Sequence, residues 1–291
     1  MIEKIVAHAR RFGYHLGLNL RIGKERFRMR GYYASRLNYS DYHEPFMGVV
    51  LQRYIVPRPG AFIDVGVNVG QTLMKVLSVD RSRRYIGFEP QIGCSYFVDQ
   101  FIRLNGLRDA MILPIALSDS NHILTLYSHG QYDEMATTVD GHDVRDIHRL
   151  EASRVQARIG DEVLRELGVE EICAIKIDVE GAELNVLNGL LDTLRVKRPP
   201  VIFEVLPNFH GHDRIMHPED VCAKNNYLAG EIYSLLDGLG YSIFQIDSHG
   251  DENIINHFEL DDRDGFIGGN YIATARERGV VQNSTYITSL S

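Results

Sequence analysis

The stretch AFIDVGVNVG, Ala61 to Gly70, reads as a buried strand, an acidic turn of small residues and the opening of a helix. Ala61, Phe62, Ile63 and Val65 supply the apolar run of a strand covered on both faces, and the glycines that follow end it. Gly66 and Gly70 permit positive φ and carry no Cβ to hold a ligand away from the backbone. Val69, Leu73, Val76 and Leu77 then resume helical spacing, which turns the amides near Val69 to Gln71 out of a helix N-terminus. The spacing is D-x-G-x-N-x-G through Asp64, Gly66, Asn68 and Gly70, whereas a dinucleotide turn needs G-x-G-x-x-G. A carboxylate beside two phosphates is repelled, so Asp64 fits a cationic or hydroxyl-bearing ligand better. The plainer alternative is a tight β-to-α turn with no ligand.

A second acidic strand end weighs against that alternative. Arg84 to Phe88 is a short strand closed by Glu89-Pro90, about 20 residues after the turn, where nucleotide folds place the acid that holds ribose hydroxyls. Glu89 is therefore the expected ribose acceptor. S-adenosylmethionine, with an ammonium group at its amino acid end and a ribose, is the cofactor these acids favour.

Five segments then line up in order: IDVGVNVGQT, FEP, ALSD at Ala116 to Asp119, IKIDVEGAELNVLNGL at Ile175 to Leu190, and IFEVLP at Ile202 to Pro207. They resemble the successive motifs of the FkbM-type family of S-adenosylmethionine-dependent methyltransferases. The resemblance runs from about Ser40 to Ala275, and KIDVEGAE is its most specific part. The chain departs from the family at Val67, where members often carry Ala or Gly. It departs again at Ala157 to Asp161, in place of an Arg-Thr-Leu-Asp-like stretch. The resemblance implies a Rossmann-like class I methyltransferase: an α/β fold with a mostly parallel sheet, a late antiparallel strand and helices on both faces. It also implies O-methylation of a sugar, glycan, or glycosylated or polyketide-type metabolite.

Composition sets wider bounds. With 291 residues, 44% hydrophobic and 24% charged, the chain can bury a sizeable core. No apolar run approaches the 18 or so residues of a membrane span, and Met1 to Lys4 lacks the pattern of a secretory signal. The expected compartment is the cytoplasm. Cys94, Cys173 and Cys222 are widely spaced and odd in number, which reads as thiols rather than disulfides or a zinc site. The net charge of −8 divides into +7 over residues 1–60 and −15 over the rest. The acidic body argues against nucleic acid; the basic segment faces an anionic partner, a second subunit, or only solvent.

The expected organisation is an N-terminal α/β extension over 1–60, covering the cofactor or joining subunits, and a cofactor-binding domain over 61–291. Ile2 to Leu16 has amphipathic helical spacing, Arg21 to Tyr39 alternates as a hairpin would, and a helix follows from Ser40-Asp41 to Pro57. Later expectations are a helix over 92–104, a strand over 111–116, a strand outside the main sheet over 123–127, and a long loop over 128–143. Glu151 to Ile159 is ambiguous between strand and helix. Then come a short helix over 161–167, a strand over 172–177, one helix over 180–194, a strand over 201–205, a helix over 228–239, and strands over 241–246 and 269–274.

Ligands in such sheets bind outside the carboxyl ends of the strands, and Asp64, Glu89, Ser118-Asp119, Asp178 and Glu204 all fall there. Asp64 and Gly66 would meet the methionine portion, Glu89 the ribose, and Ala116 to Asp119, with Ser118 and Asp119, the adenine edge; Asn68, Gly70 and Asp178 are also expected to bind the cofactor. An aliphatic hydroxyl needs a base, a contribution of about 10² to 10⁴ in rate. Asp178 leads; Glu204 and His210 follow, with Glu180, Glu183, His212 and His217 nearby. Glu180 and Glu183 also suit a helix N-terminus. Asp178, Glu204 and His210 are types that bind a divalent ion, but no register fixes them, so no metal is assigned. The other readings are a nicotinamide-dependent oxidoreductase, disfavoured by the missing glycine, and a non-catalytic binding protein on the same fold. Expected partners are a small-molecule or glycan acceptor and a second copy of the chain.

Overall fold

The computed structural model describes residues 17–30, 46–128, 151–205, 218–258 and 269–277. The expected helix over Ile2 to Leu16, the rest of the hairpin to Tyr39 and the long loop beyond Ser128 lie outside them.

The strand read from the sequence, β3 (Ala61–Val65), lies in the middle of an eight-stranded sheet. Its parallel neighbours are β4 (Tyr85–Phe88) and β9 (Ile172–Ile177). Beyond them lie β5 (Ala110–Leu113) on one side and β10 (Val201–Glu204) on the other. The sheet continues through β13 (Asn270–Ala275), β11 (Tyr241–Ile246) and β12 (Glu252–Ile255), in the order β12-β11-β13-β10-β9-β3-β4-β5. β13 runs antiparallel to both β10 and β11, so the late reversed strand expected from the sequence is present. β12 was not expected; it turns back on β11 through Asp247 to Asp251, where Asp247 accepts the amides of His249 and Asp251.

All five residues of β3 are buried, because apolar clusters cover both faces. Phe62 belongs to the cluster holding α1 (Met47–Ile55), α2 (Gln71–Val79) and α3 (Ile92–Leu104). Ile63 and Val65 belong to the other, with α4 (Gly160–Glu166), α5 (Glu183–Asn188), α6 (Leu191–Val196) and part of α7 (Pro218–Gly238). Met47, Val50, Leu51 and Ile55 of α1 sit in the same cluster as Leu73 and Val76 of α2, and Tyr54 and Arg53 bond Glu252. The hairpin β1 (Gly17–Ile22) and β2 (Glu25–Arg30) lays Ile22, Phe27 and Met29 on that cluster.

Two expected elements are each divided. The strand over 111–116 stops at Pro114, which has no amide to continue a ladder; β6 (Ala116–Ser118) then joins β8 (Glu151–Ile159) and β7 (His122–Ser128) in a separate three-stranded sheet. This resolves 151–159 as a strand. The helix over 180–194 breaks into α5 and α6 at Gly189, where an added Cβ would lie 2.0 Å from the Ser118 carbonyl oxygen. α7 also starts ten residues ahead of the expected 228, at Pro218, a residue suited to a first helical turn.

Candidate active site

The carboxyl ends of β3, β4 and β9 form one rim, and the loops leaving β3 and β9 hold two of the three non-glycine residues with positive φ among the described residues. Gly66, Asn68 and Gly70 all have positive φ, at 88°, 51° and 84°. The loop thereby folds tightly enough for Gly66 and Val67 to donate amides to Phe88 at the end of β4. A Cβ on Gly66 would lie 1.7 Å from the Asp178 carbonyl oxygen, so the loops after β3 and β9 touch through that missing side chain. After β9, Glu180 and Gly181 also have positive φ, at 53° and 100°. For Glu180 this costs about 1 to 2 kcal/mol, and the cost falls where β3 and β9 diverge, beside the switch in strand order.

Glu89 ties the loop after β3 to the one after β4. Its Oε2 accepts the Asn68 amide at 2.8 Å and its Oε1 accepts the Gln91 amide at 2.8 Å, with the residue 8% exposed. Burial raises its carboxyl to about 7; the two amides oppose the shift, while the charges of Asp64 and Asp178 add to it. The Asp64 and Asp178 carboxylates thus lie close enough for their charge to act on Glu89. A buried acid with lone pairs left beyond the two amides fits a ribose diol, and the surrounding negative charge fits a sulfonium and opposes a pyrophosphate.

Asp64 is fully buried beneath the glycine loop and accepts the Tyr85 hydroxyl. It stands in register with Lys176 of β9. Lys176 is 4% exposed and pairs with Asp178 at 2.7 Å, which gives a buried ammonium the partner it requires. Sequence reasoning passed over both Tyr85 and Lys176. Their signal was a polar group at an inward position of a strand otherwise built of apolar residues. Asp178 itself is part-exposed at the rim.

Glu183 is buried and its Oε1 accepts the Val179 and Gly181 amides, both at 3.2 Å. Burial raises its carboxyl above the usual range. It closes the turn carrying Asp178 and Glu180, in keeping with the helix-start reading. Glu204 ends β10 in register with Asn270, and a Cβ on Gly269 would lie 2.9 Å from its Oε1. Ser118 and Asp119 bond each other at 3.2 Å on the smaller sheet, with the Ser118 carbonyl against Gly189. No hydrogen bond among the described residues ties that pair to Glu89. His210, His212 and His217 lie outside the described residues. Among the described residues no group of three or more His, Cys, Asp and Glu side chains is arranged to hold a metal, and no helix is long and apolar enough to cross a membrane.

The strand order, with β13 and the edge strand β12 reversed and an acidic rim at the first two strand ends, defines a Rossmann-like class I methyltransferase domain. Residues 64–243, more than half of the chain, match the methyltransferase FkbM domain, and the chain belongs to that family. A curated relative, the AMB antimetabolite synthetase AmbE of Pseudomonas aeruginosa, is 27% identical over 215 residues, covering 60% of this chain and 10% of the synthetase. The chain thus spans a small part of that relative. Among solved structures, the methyltransferase FkbM from Methylobacillus flagellatus KT aligns at 14% identity and TM-score 0.44, covering 74% of this chain and 43% of that one. The O-methyltransferase from Bacillus cereus in complex with SAH aligns at 13% identity and TM-score 0.46, over 95% and 100%.

Proposed function

We propose that this protein is an S-adenosylmethionine-dependent O-methyltransferase that methylates a hydroxyl of a sugar, glycan, or glycosylated or polyketide-type metabolite. The observation that carries the reading is buried Glu89, which bridges the amides of Asn68 and Gln91 at the rim of an FkbM methyltransferase domain. When bound, the cofactor supplies an electrophilic methyl group on a sulfonium. The chain's own residues hold and align. Glu89 receives the ribose hydroxyls. The loop from Gly66 to Gly70 lets the methionine portion approach the backbone, with Asp64 supplying negative charge from below. Ser118-Asp119 is assigned the adenine edge. Alignment of acceptor oxygen, methyl and sulfur is the main catalytic demand of an in-line displacement.

The proton of the acceptor hydroxyl is assigned to a base among Asp178, Glu204 and His210. Lys176 fixes the Asp178 carboxylate at the rim, which supports a positioned group there. Buried thiols at Cys94 and Cys173 suit a reducing compartment, which supports the cytoplasm as the proposed location.

The test is turnover with methyl-labelled cofactor against panels of nucleotide sugars, glycans and glycosylated polyketides, read by mass spectrometry. The expected result is a product heavier by one methyl group on oxygen, lost in Asp178→Asn while cofactor binding persists. Methylation on nitrogen or carbon would overturn the oxygen assignment. Unchanged turnover in Asp178→Asn, Glu204→Gln and His210→Ala would overturn the base.

A further inference from the structure

The β1–β2 hairpin carries four cations on its outward face. Arg21, Lys24, Arg26 and Arg28 are exposed, and none has a carboxylate partner among the described residues. The hairpin's one acid, Glu25, points inward and is committed to Arg81 at 2.9 Å. Arg21 and Arg26 are opposed in register, a cross-strand arrangement of like charges that weakens a hairpin left alone. The fold bears this cost while the rest of the chain is strongly acidic.

The hairpin's position excludes a direct role in holding the acceptor. Asn105, at the end of α3, exchanges two hydrogen bonds with the Arg28 backbone. Gly23 lies against Ser78 at the end of α2. Both contacts are at the end of the sheet where the parallel strands begin, opposite the rim that carries Glu89. Next to the hairpin, at the same end, is a depression of about 440 Å³ lined in part by Asp80, Ser82, Arg84, Glu170 and Glu171. Asp80 is held by Arg83, and Arg84 bonds the Leu167 carbonyl. Glu170 and Glu171 are exposed, and no carboxylate–cation pair engages them among the described residues.

A cationic face beside a depression edged by the exposed carboxylates of Glu170 and Glu171 is what a twofold contact requires, because each copy must present both halves. We infer that the occupant of the hairpin face is a second copy of this chain, with Arg21, Arg26 and Arg28 of each protomer set against Glu170 and Glu171 of its partner. Guanidinium groups suit carboxylates in such pairs. The arrangement leaves both cofactor rims facing outward. An extended anionic surface is the poorer match, since it would also meet the acidic body.

The experiment is sedimentation velocity on the full chain at about 0.1 M and about 1 M salt. A dimer is expected at the lower salt, with dissociation at least about tenfold stronger at the higher. Arg26→Glu and Glu171→Arg should each give monomers with the wild-type circular dichroism spectrum, which separates lost association from lost folding. Mixing these two variants should restore a dimer, because both contacts in the mixed pair join opposite charges. The inference is overturned by a monomeric wild type at low salt, or by a dimer indifferent to both substitutions. Failure of the mixture to reassociate would also overturn it, as would binding of the monomer to phosphatidylserine vesicles lost in Arg26→Glu.

Discussion

At the scale of single residues, the site depends on where a side chain is absent and where a carboxylate is buried. Gly66 and Gly70 share positive φ but differ in surroundings. A Cβ on Gly66 meets the Asp178 backbone at 1.7 Å, while one on Gly70 comes no closer than 3.3 Å, to Val98. Gly70→Ala should therefore cost about 1 to 2 kcal/mol, the conformational cost alone. Gly66→Ala should cost at least about 1 kcal/mol more, because a backbone oxygen must move. Urea denaturation of the two variants checks this, and equal losses would show that the loops do not touch as described. Glu89 gives a pH test. Its folded-state carboxyl lies near 7 against an ordinary 4.5, so its contribution to stability is complete below about 4.5 and is lost as pH rises through about 7. Glu89→Gln removes that dependence: the melting temperature of the variant should fall less than that of the wild type between about pH 4 and about pH 8, an interval that brackets the shift. Equal falls would contradict the buried placement of this acid.

At the scale of elements, the joint between α5 and α6 is set by close approach to β6. Gly189→Ala should cost about 1 to 3 kcal/mol through overpacking, read as a lower urea midpoint, since its Cβ would sit 2.0 Å from the Ser118 oxygen. An unchanged midpoint would mean that β6 is free to shift. Such a break could not be read from the sequence: Leu184, Leu187, Leu190, Leu191 and Leu194 keep helical spacing through it, and the neighbour that forbids a straight helix lies about 70 residues away. Local signals were legible where they were also tertiary ones. The apolar runs of β3, β9 and β10 and the Glu89 strand end fell where expected. Pro114 was a stop signal that the reading underweighted. β12 carries only exposed or half-buried residues, so no apolar pattern announced it, and Lys176 and Tyr85 acquire meaning only once neighbouring strands bring Asp178 and Asp64 beside them.

At the scale of the molecule, the ends of the sheet divide the work. The strand starts carry the hairpin and the charged depression; the strand finishes carry the strained loops and the buried acids. Helix α1, which precedes the family-matched region, shares a core with α2, so the extension read from the sequence contributes packing as well as charge. Everything proposed for catalysis rests on the finishing end accepting a sulfonium nucleoside rather than a dinucleotide. Isothermal titration calorimetry of the full chain with S-adenosylmethionine, S-adenosylhomocysteine and NADH measures that choice directly. The expected result is saturable binding of both adenosyl compounds, weakened by about tenfold or more in Glu89→Gln, with no heat from NADH. Saturable binding of NADH alone, or adenosyl binding indifferent to Glu89→Gln, would contradict the account.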